Sequence, residues 1–436
     1  MRQTKFALAL LTAVVLTACG GTGSSGGDQT HAVKFSQQVS FGDSLSDVGT
    51  YAVGAVAAAG GGKFTINGSN TSANAAYTGL NWTEVLASEL KLPAPCAAQT
   101  GLQGADNANP ALDFNVPIVN HANCFNYAQG GARVTDPVGA GYPVEMTVPV
   151  VTQIDNHLAK TGGKFSGTEL VTVMAGGNDV LVLLGQISSA GNTAFATSLI
   201  GQLAARATDP AAAAQAIGAT IQAETAKGSS TQVLVGAAVT TAAQQPGNAA
   251  VGQPSVYGPM VIKAEADGKA AAATYAADNS RRLVTELGTA GAELANMVKT
   301  RIIANGAKYV LVNNLPDVAS TPTGKAQSPE LQTLIKTMVD TFNAELKAGL
   351  GEDPRIAYVD LFSISRDQVA NPAIYGLTNT AVPACTSDSS LTCTSKTLSG
   401  PDVSHYMFAD GVHPTPYENW LVARYVLKDM AVKGWL

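Results

Sequence analysis

The sequence predicts an α/β protein in which a parallel sheet is wound with helices. Three observations point there. Short β-type runs alternate with helical patterns along most of the 436 residues, the order expected of strand–helix–strand units. Hydrophobic residues make up 46% of the chain against 13% charged, enough apolar material for a large core. Glycine is abundant, at 44 residues, and aromatics are few, which suits close packing of helices on a sheet. With a net charge of −6 and no basic run, nucleic-acid binding is disfavoured.

The N-terminal stretch reads as an export signal. Arg2 and Lys5 precede an apolar run from Phe6 to Leu16, too short for a bilayer span, which needs about 20 apolar residues. Leu16-Thr17-Ala18-Cys19 follows and resembles a bacterial lipobox, which makes Cys19 the expected lipidation site. Residues 1–18 are then a lipoprotein signal peptide. Residues 19–36, Gly/Ser/Thr-rich at their start, are a lipidated flexible tether. A globular domain follows over residues 37–436. An acidic chain is not drawn to anionic lipid, so membrane attachment rests on acyl chains at Cys19. Gly20 in place of aspartate after that cysteine favours, by resemblance to other lipoproteins, the outer membrane, with the periplasmic or surface face left open.

The expected strands are Gln38–Phe41, Cys124–Ala128, Leu170–Met174, Tyr309–Val312 and Ala357–Asp360, five in all. The expected helices are Trp82–Leu90, Val150–Ala159, Arg281–Ala304, Leu331–Lys347 and Pro416–Lys433. Residues 52–120 are rich in Gly, Ala, Asn and Pro, and are expected to loop over one end of the sheet. Residues 185–280 are alanine-rich and read as a helical insertion, broken at Pro210 and around 244–259. After Cys19, four cysteines remain. An even number in an exported protein implies two disulfides, and proximity favours Cys96–Cys124 and Cys385–Cys393 among three possible pairings. The second would close a tight loop before Asp410, either limiting the freedom of the segment that carries it or acting as a remote surface staple that adds stability alone. No Cys/His spacing suggests a metal site, and no cofactor or obligate protein partner is indicated.

Four blocks carry chemistry. Phe41-Gly42-Asp43-Ser44-Leu45-Ser46-Asp47 follows the first strand, and a serine there lies on a strand-to-helix turn at the carboxyl edge of the sheet. Asn126-Tyr127-Ala128-Gln129-Gly130-Gly131-Ala132 offers glycine N–H groups at a close approach, and Gly176-Gly177-Asn178-Asp179 offers an uncharged amide donor. Asp410-Gly411-Val412-His413-Pro414 supplies a base and a carboxylate to orient it, which a serine nucleophile needs.

These four blocks, in this order, resemble those of the GDSL or SGNH hydrolases, and Asn305–Val312 and Leu315-Pro316-Asp317 are similar too. The resemblance runs from about Val39 to the C-terminus without the 185–280 stretch. It implies a flavodoxin-like three-layer α/β/α sandwich with a five-stranded parallel sheet, the SGNH hydrolase fold. It also implies Ser44 as nucleophile, His413 as base and Asp410 as its orienter. The implied oxyanion donors are the Ser44 N–H, the Gly131 N–H and the Asn178 side chain. A second Asp-x-x-His, Asp402–His405, is set aside because no apolar helix follows it directly. His31, His121 and His157 read as tether or surface residues, and Asp317 and Asp360 as turn or cap residues.

The function expected is carboxylic-ester hydrolysis through an acyl-enzyme, on an ester or lipid substrate. The wording of the blocks is closer to the lipase, phospholipase and acyltransferase branch. A polysaccharide or envelope O-deacetylase is the alternative, and an inactive binding or structural lipoprotein lies further off.

Overall fold

The computed structural model describes residues 33–68, 78–102, 116–142 and 144–436. The signal stretch, Cys19, His31 and most of the expected tether lie outside them. Strands β1 (Gln38–Gly42), β4 (Leu170–Met174), β5 (Tyr309–Asn313) and β6 (Ile356–Val359) form one parallel sheet in the order β1-β4-β5-β6. Strands β2 (Gln99–Leu102) and β3 (Val116–Asn120) form a separate antiparallel pair. Period-two alternation divides the sheet's side chains between two cores. Val171, Val173, Val310 and Val312 face one, and Leu170, Met174 and Leu311 the other.

Helices α1 (Gly54–Ala58) and α2 (Trp82–Glu89) precede β2, and α3 (Val150–Thr161) precedes β4. Between β4 and β5 run α4 (Gly177–Ala204), α5 (Pro210–Ala226), α6 (Thr231–Ala243) and α7 (Pro254–Met297). Helices α8 (Pro322–Lys325) and α9 (Pro329–Leu350) lead to β6, and α10 (Leu361–Ala370) and α11 (Pro416–Val432) come after it. Helices α3, α4, α7 and α9 cover one face through Ile154, Leu183, Leu287 and Phe342. Helices α2 and α11 cover the other through Trp82, Leu86, Val426 and Met430.

The parallel sheet thus has four strands among the described residues, not the expected five. Cys124–Ala128 runs beside β1 but makes only isolated bridges, to Ser40 and to Ala97. Its backbone bonds are few and alternate between two sides. Toward β1, Ser40 N–H donates to the Phe125 carbonyl and the Tyr127 N–H to the Ser40 carbonyl. On its far side, Ala98 N–H donates to the Asn126 carbonyl and the Asn126 N–H to the Cys96 carbonyl. The Cys96–Cys124 disulfide, at a Cα separation of 5.0 Å, ties those two stretches together. The 52–120 stretch is also more regular than expected, containing α1, α2 and the β2–β3 pair.

Residues 185–280 are continuous with core helices. They comprise most of α4, all of α5 and α6, and much of α7, a single 44-residue helix where a shorter one beginning at Arg281 was expected. The outer parts of α4 and α7 join α5 and α6 in a core of their own around Leu199, Leu203, Ile217 and Val239. Chain punctuation does follow the expected sites. Asp209 caps α5 with Pro210 in its first turn, and α7 begins at Pro254 after the break. Pro259 lies inside α7, one turn past its start, where it removes the N–H that would bond the Ser255 carbonyl, and the helix continues through it.

One buried acid has a measurable consequence. Glu418, in the first turn of α11, is 5% exposed and is met by the Gln368 amide at 3.1 Å. Burial pushes its carboxyl up to about 8. The folded state therefore holds a proton that the unfolded chain releases above its ordinary carboxylate range. Stability should fall as pH rises from about 4.5 to about 8. Glu418→Gln should flatten that slope and stabilise the protein at pH 9 by at least about 1 kcal/mol. Urea melts of both proteins at pH 5 and pH 9 read this directly, and parallel pH profiles would refute it.

Candidate active site

Ser44 lies two residues past β1, on a turn at the carboxyl edge of the sheet. No helix follows directly, contrary to the expected strand-to-helix turn. The chain instead continues through bends to α1 at Gly54, because Asp47 captures the next backbone donors. Its Oδ1 accepts from the N–H groups of Gly49 and Thr50 at 2.9 and 2.8 Å, and its Oδ2 from the Gly130 N–H at 2.9 Å. This one buried side chain fixes the serine turn and joins it to the Asn126–Ala132 block. Gln153 of α3 braces the same turn from below: its Oε1 accepts from the Gly42 N–H and its Nε2 donates to the Gly42 carbonyl. Gly42 must be glycine, since a Cβ there would lie 2.3 Å from the Met174 carbonyl oxygen of β4.

The histidine block arrives from the other end of the chain. Phe408 bridges back to Pro414, and Thr415 then caps α11, accepting from the Glu418 N–H at 3.2 Å. Within that short hairpin, His413 Nδ1 lies 2.9 and 2.8 Å from the two Asp410 carboxylate oxygens. Its Nε2 lies 2.8 Å from Ser44 Oγ. Asp410 is nearly inaccessible and also accepts from the N–H groups of Val412, His413 and Ser390 at 3.0, 2.8 and 2.6 Å. Burial would raise its carboxyl. The adjoining imidazole and these donors outweigh it and hold Asp410 well below the usual carboxylate range. Asp410 is therefore anionic at any pH at which the protein would work.

The other two blocks close on the serine. Gly131 has φ +83°, a left-handed conformation that glycine adopts without strain. Asn178 lies in the first turn of α4, and its Nδ2 donates to the Ala132 carbonyl at 2.9 Å, next to Gly131. Its neighbour Asp179 accepts from Arg133 Nε at 3.0 Å and from the Val134 N–H at 3.1 Å, which holds the start of α4 against the glycine turn. The Gly130 N–H is taken by Asp47, whereas the Ser44 and Gly131 N–H groups have no acceptor among the described residues. Ser44, His413, Asp410, Gly131 and Asn178 are thus drawn into one site by contacts running through all four blocks.

The second Asp-x-x-His does not form a pair. His405 Nδ1 faces the Gly376 carbonyl at 2.6 Å and its ring stacks on Tyr417, while Asp402 accepts from Ser404. Asp317 and Asp360 each accept from a backbone N–H at a helix start. His157 is a correction. It was expected on the surface, but it is fully buried among Phe41, Phe125, Tyr127 and Phe165, and burial pushes its imidazole down to about 4. On α3 it recurs three residues after Ile154 and seven after Val150, the apolar stripe that the helix lays on the sheet.

Some site residues carried no signal of their own. Phe64 tilts over the His413 ring at a centroid distance of 4.9 Å, and Ser390 donates its backbone N–H to Asp410. Gln153 stands in an ordinary helical pattern. An apolar cavity of about 60 Å³ opens beside the serine turn, walled by Leu45, Met174, Pro316, Met407, Phe408 and Val412. Among the described residues no group of three His, Cys, Asp or Glu side chains is placed to hold a metal ion.

Comparison with known proteins bears on this geometry. The family model of GDSL-like lipases and acylhydrolases matches residues 270–426, a span that includes Asp410 and His413 but not Ser44. Esterase EstA of Pseudomonas aeruginosa is 33% identical over 127 residues, covering 27% of this chain and 19% of that esterase. A GDSL esterase/lipase of Arabidopsis thaliana is 26% identical over 131 residues, covering 27% of this chain and 36% of its own length. Another from the same plant is 32% identical over 141 residues, covering 29% and 35%. The matched stretches thus span between a fifth and about a third of these relatives. Family model and relatives point to one group, the GDSL-like lipases and acylhydrolases, to which this chain is similar over those stretches.

Proposed function

We propose that the protein hydrolyses carboxylic esters through an acyl-enzyme on Ser44. The observation that carries this is the unbroken relay from Asp410 through His413 to Ser44 Oγ, every link at 2.9 Å or less. His413 Nε2 takes the hydroxyl proton as Ser44 Oγ attacks the ester carbonyl carbon. Asp410 holds the imidazole in the tautomer with hydrogen on Nδ1 and stabilises the imidazolium that forms. The oxyanion is met by the Ser44 and Gly131 N–H groups and by Asn178 Nδ2, which has a second hydrogen besides the one given to Ala132. The imidazolium then returns its proton to the departing alkoxide. Water repeats the sequence and releases the acid.

The cavity beside Ser44 favours a hydrocarbon acyl group over the acetyl group of a hydrated sugar. Leu45 and Val412, the chain neighbours of Ser44 and His413, form part of its wall, so an acyl chain directed there stays next to the reacting carbon. Its small volume favours short chains. This reading takes the sheet as the family's flavodoxin-like one, with segment 124–128 in the place of the fifth strand and residues 185–280 as an addition. It also places the enzyme on the bacterial outer membrane through acyl chains at Cys19, near lipid esters.

Ser44→Ala should abolish hydrolysis of p-nitrophenyl esters and labelling by a fluorophosphonate, with an unchanged melting curve. His413→Ala should lower kcat by at least about a thousandfold, while His405→Ala leaves it unchanged. Turnover in the first variant, or the reverse order among the histidines, would overturn the assignment. Met407→Ala should enlarge the cavity and move the optimum of a chain-length series toward longer acyl groups. A series that keeps its optimum would remove the cavity from the substrate's path. Cys19→Ser should move activity from the membrane fraction to the soluble one, and retention in the membrane would contradict the anchor.

A further inference from the structure

We infer that the disulfide-closed loop Cys385–Cys393 is a positioning element for the reaction proposed above, acting through the backbone N–H of Ser390. Three observations converge on it. The Ser390 N–H donates to Asp410 Oδ2 at 2.6 Å in a fully buried setting, the shortest of the backbone bonds to that carboxylate. The loop that presents it is closed on both sides of Ser390 by the Cys385–Cys393 disulfide, with only eight residues of separation. The same loop is fastened to two further parts of the site. Cys385 N–H donates to the Ala409 carbonyl at 2.9 Å, beside Asp410. Asn67 Nδ2 donates to the carbonyls of Ser390 and Cys393 at 3.1 and 3.2 Å, and Gly62 N–H to that of Leu391 at 2.9 Å. Between Gly62 and Asn67 lies Phe64, whose ring leans on His413.

The Val412 and His413 N–H groups and the imidazole approach Asp410 from its own turn. They can rotate with it as one body. The Ser390 N–H comes from elsewhere in the chain and fixes Oδ2 against that rotation, which sets the plane in which His413 is held toward Ser44. A carboxylate free to turn would still pair with the histidine but would misdirect Nε2, and orientation of this kind is a large part of what a preorganised site contributes. Cys385 and Cys393 are themselves buried, with Ala384, Val403 and Ala409 packed around them, so the loop cannot shift while the bond is intact. The disulfide therefore acts on Asp410 through Ser390 and touches no substrate.

The test is a Cys385→Ala, Cys393→Ala double variant, compared with the parent protein below the melting midpoint of both. The expected result is a fall in kcat of about tenfold, equal to about 1.4 kcal/mol on the barrier, with KM nearly unchanged. The downfield proton resonance of the His413 Nδ1–H to Asp410 bond should weaken or disappear at a temperature where circular dichroism is native. Unchanged kcat together with an unchanged resonance, and only a lower Tm, would overturn the inference and leave a plain staple. If the double variant does not fold, Asn67→Ala releases the loop from its other side with both disulfides intact, and the same loss of kcat and of the resonance is expected. The resonance needs no substrate. A parent protein that shows it but hydrolyses no ester would sink the proposed activity, whereas a parent active on esters with an indifferent variant would sink only the role of the loop.

Discussion

The Asp410 carboxylate is where separate stretches of chain are made to agree. It is buried, so every lone pair it cannot share with water must be satisfied by protein, and an uncompensated charge there would cost several kcal/mol. Its own turn supplies the Val412 and His413 donors, the imidazole supplies another, and the loop ending at Cys393 supplies the fourth. Once those donors are in place the charge is stable, and a stable charge is what holds His413 in its tautomer. The geometry between His413 and Ser44 is then a consequence of how one anion is solvated by protein. The 62–67 segment, bonded to the loop and to Pro414 through Thr65 Oγ1, closes the arrangement from above.

A second buried carboxylate joins the serine turn to the glycine block. Asp47 gathers the Gly49, Thr50 and Gly130 N–H groups, which leaves the next amide, Gly131, without an acceptor among the described residues. Asn126 reinforces the same junction, donating from its side chain to the Ser46 carbonyl. Burial pushes the Asp47 carboxyl up to about 6 in spite of those three donors. Asp43 and Asp179 are raised as well, to about 7 and about 6, with burial the largest cause in each. Burial thus raises three carboxyls near Ser44, while the donors around Asp410 lower the fourth.

What could be read in the residues, and what could not, follows from the range of the interactions. Each of the four blocks is an ordinary turn when taken alone, and it is their order, resembling one family, that singles out Ser44, Gly131, Asn178, Asp410 and His413. The strands β4, β5 and β6 stand out as largely apolar runs because both faces of the sheet are buried, whereas β1 alternates Val39 and Phe41 with the buried polar Gln38 and Ser40. The fifth run is β-like in composition, but it makes only isolated bridges to β1 and to the stretch near Cys96, an irregularity that composition does not reveal. His157 was misplaced because a histidine on an apolar stripe has the same letter as one in solvent. Ser390 left no trace because its contribution is a backbone N–H, which every residue but proline has.

The pattern of raised carboxyls bears on why the proposed oxyanion donors are neutral. A lysine or arginine in place of Asn178 would add a full positive charge at the start of α4, next to Asp179 and close to Asp43, and would favour the ionised forms of both. An amide avoids this: it supplies a hydrogen bond when an oxyanion develops and no field strong enough to ionise its neighbours beforehand. Arg133, the nearby cation, is held off the serine by its pairing with Asp136 and Asp179, so its charge is spent on the start of α4. Around Ser44, then, Asp410 is the carboxylate whose position is determined by the most donors, and the Asn178 amide offers a further donor at the start of α4 without adding a charge.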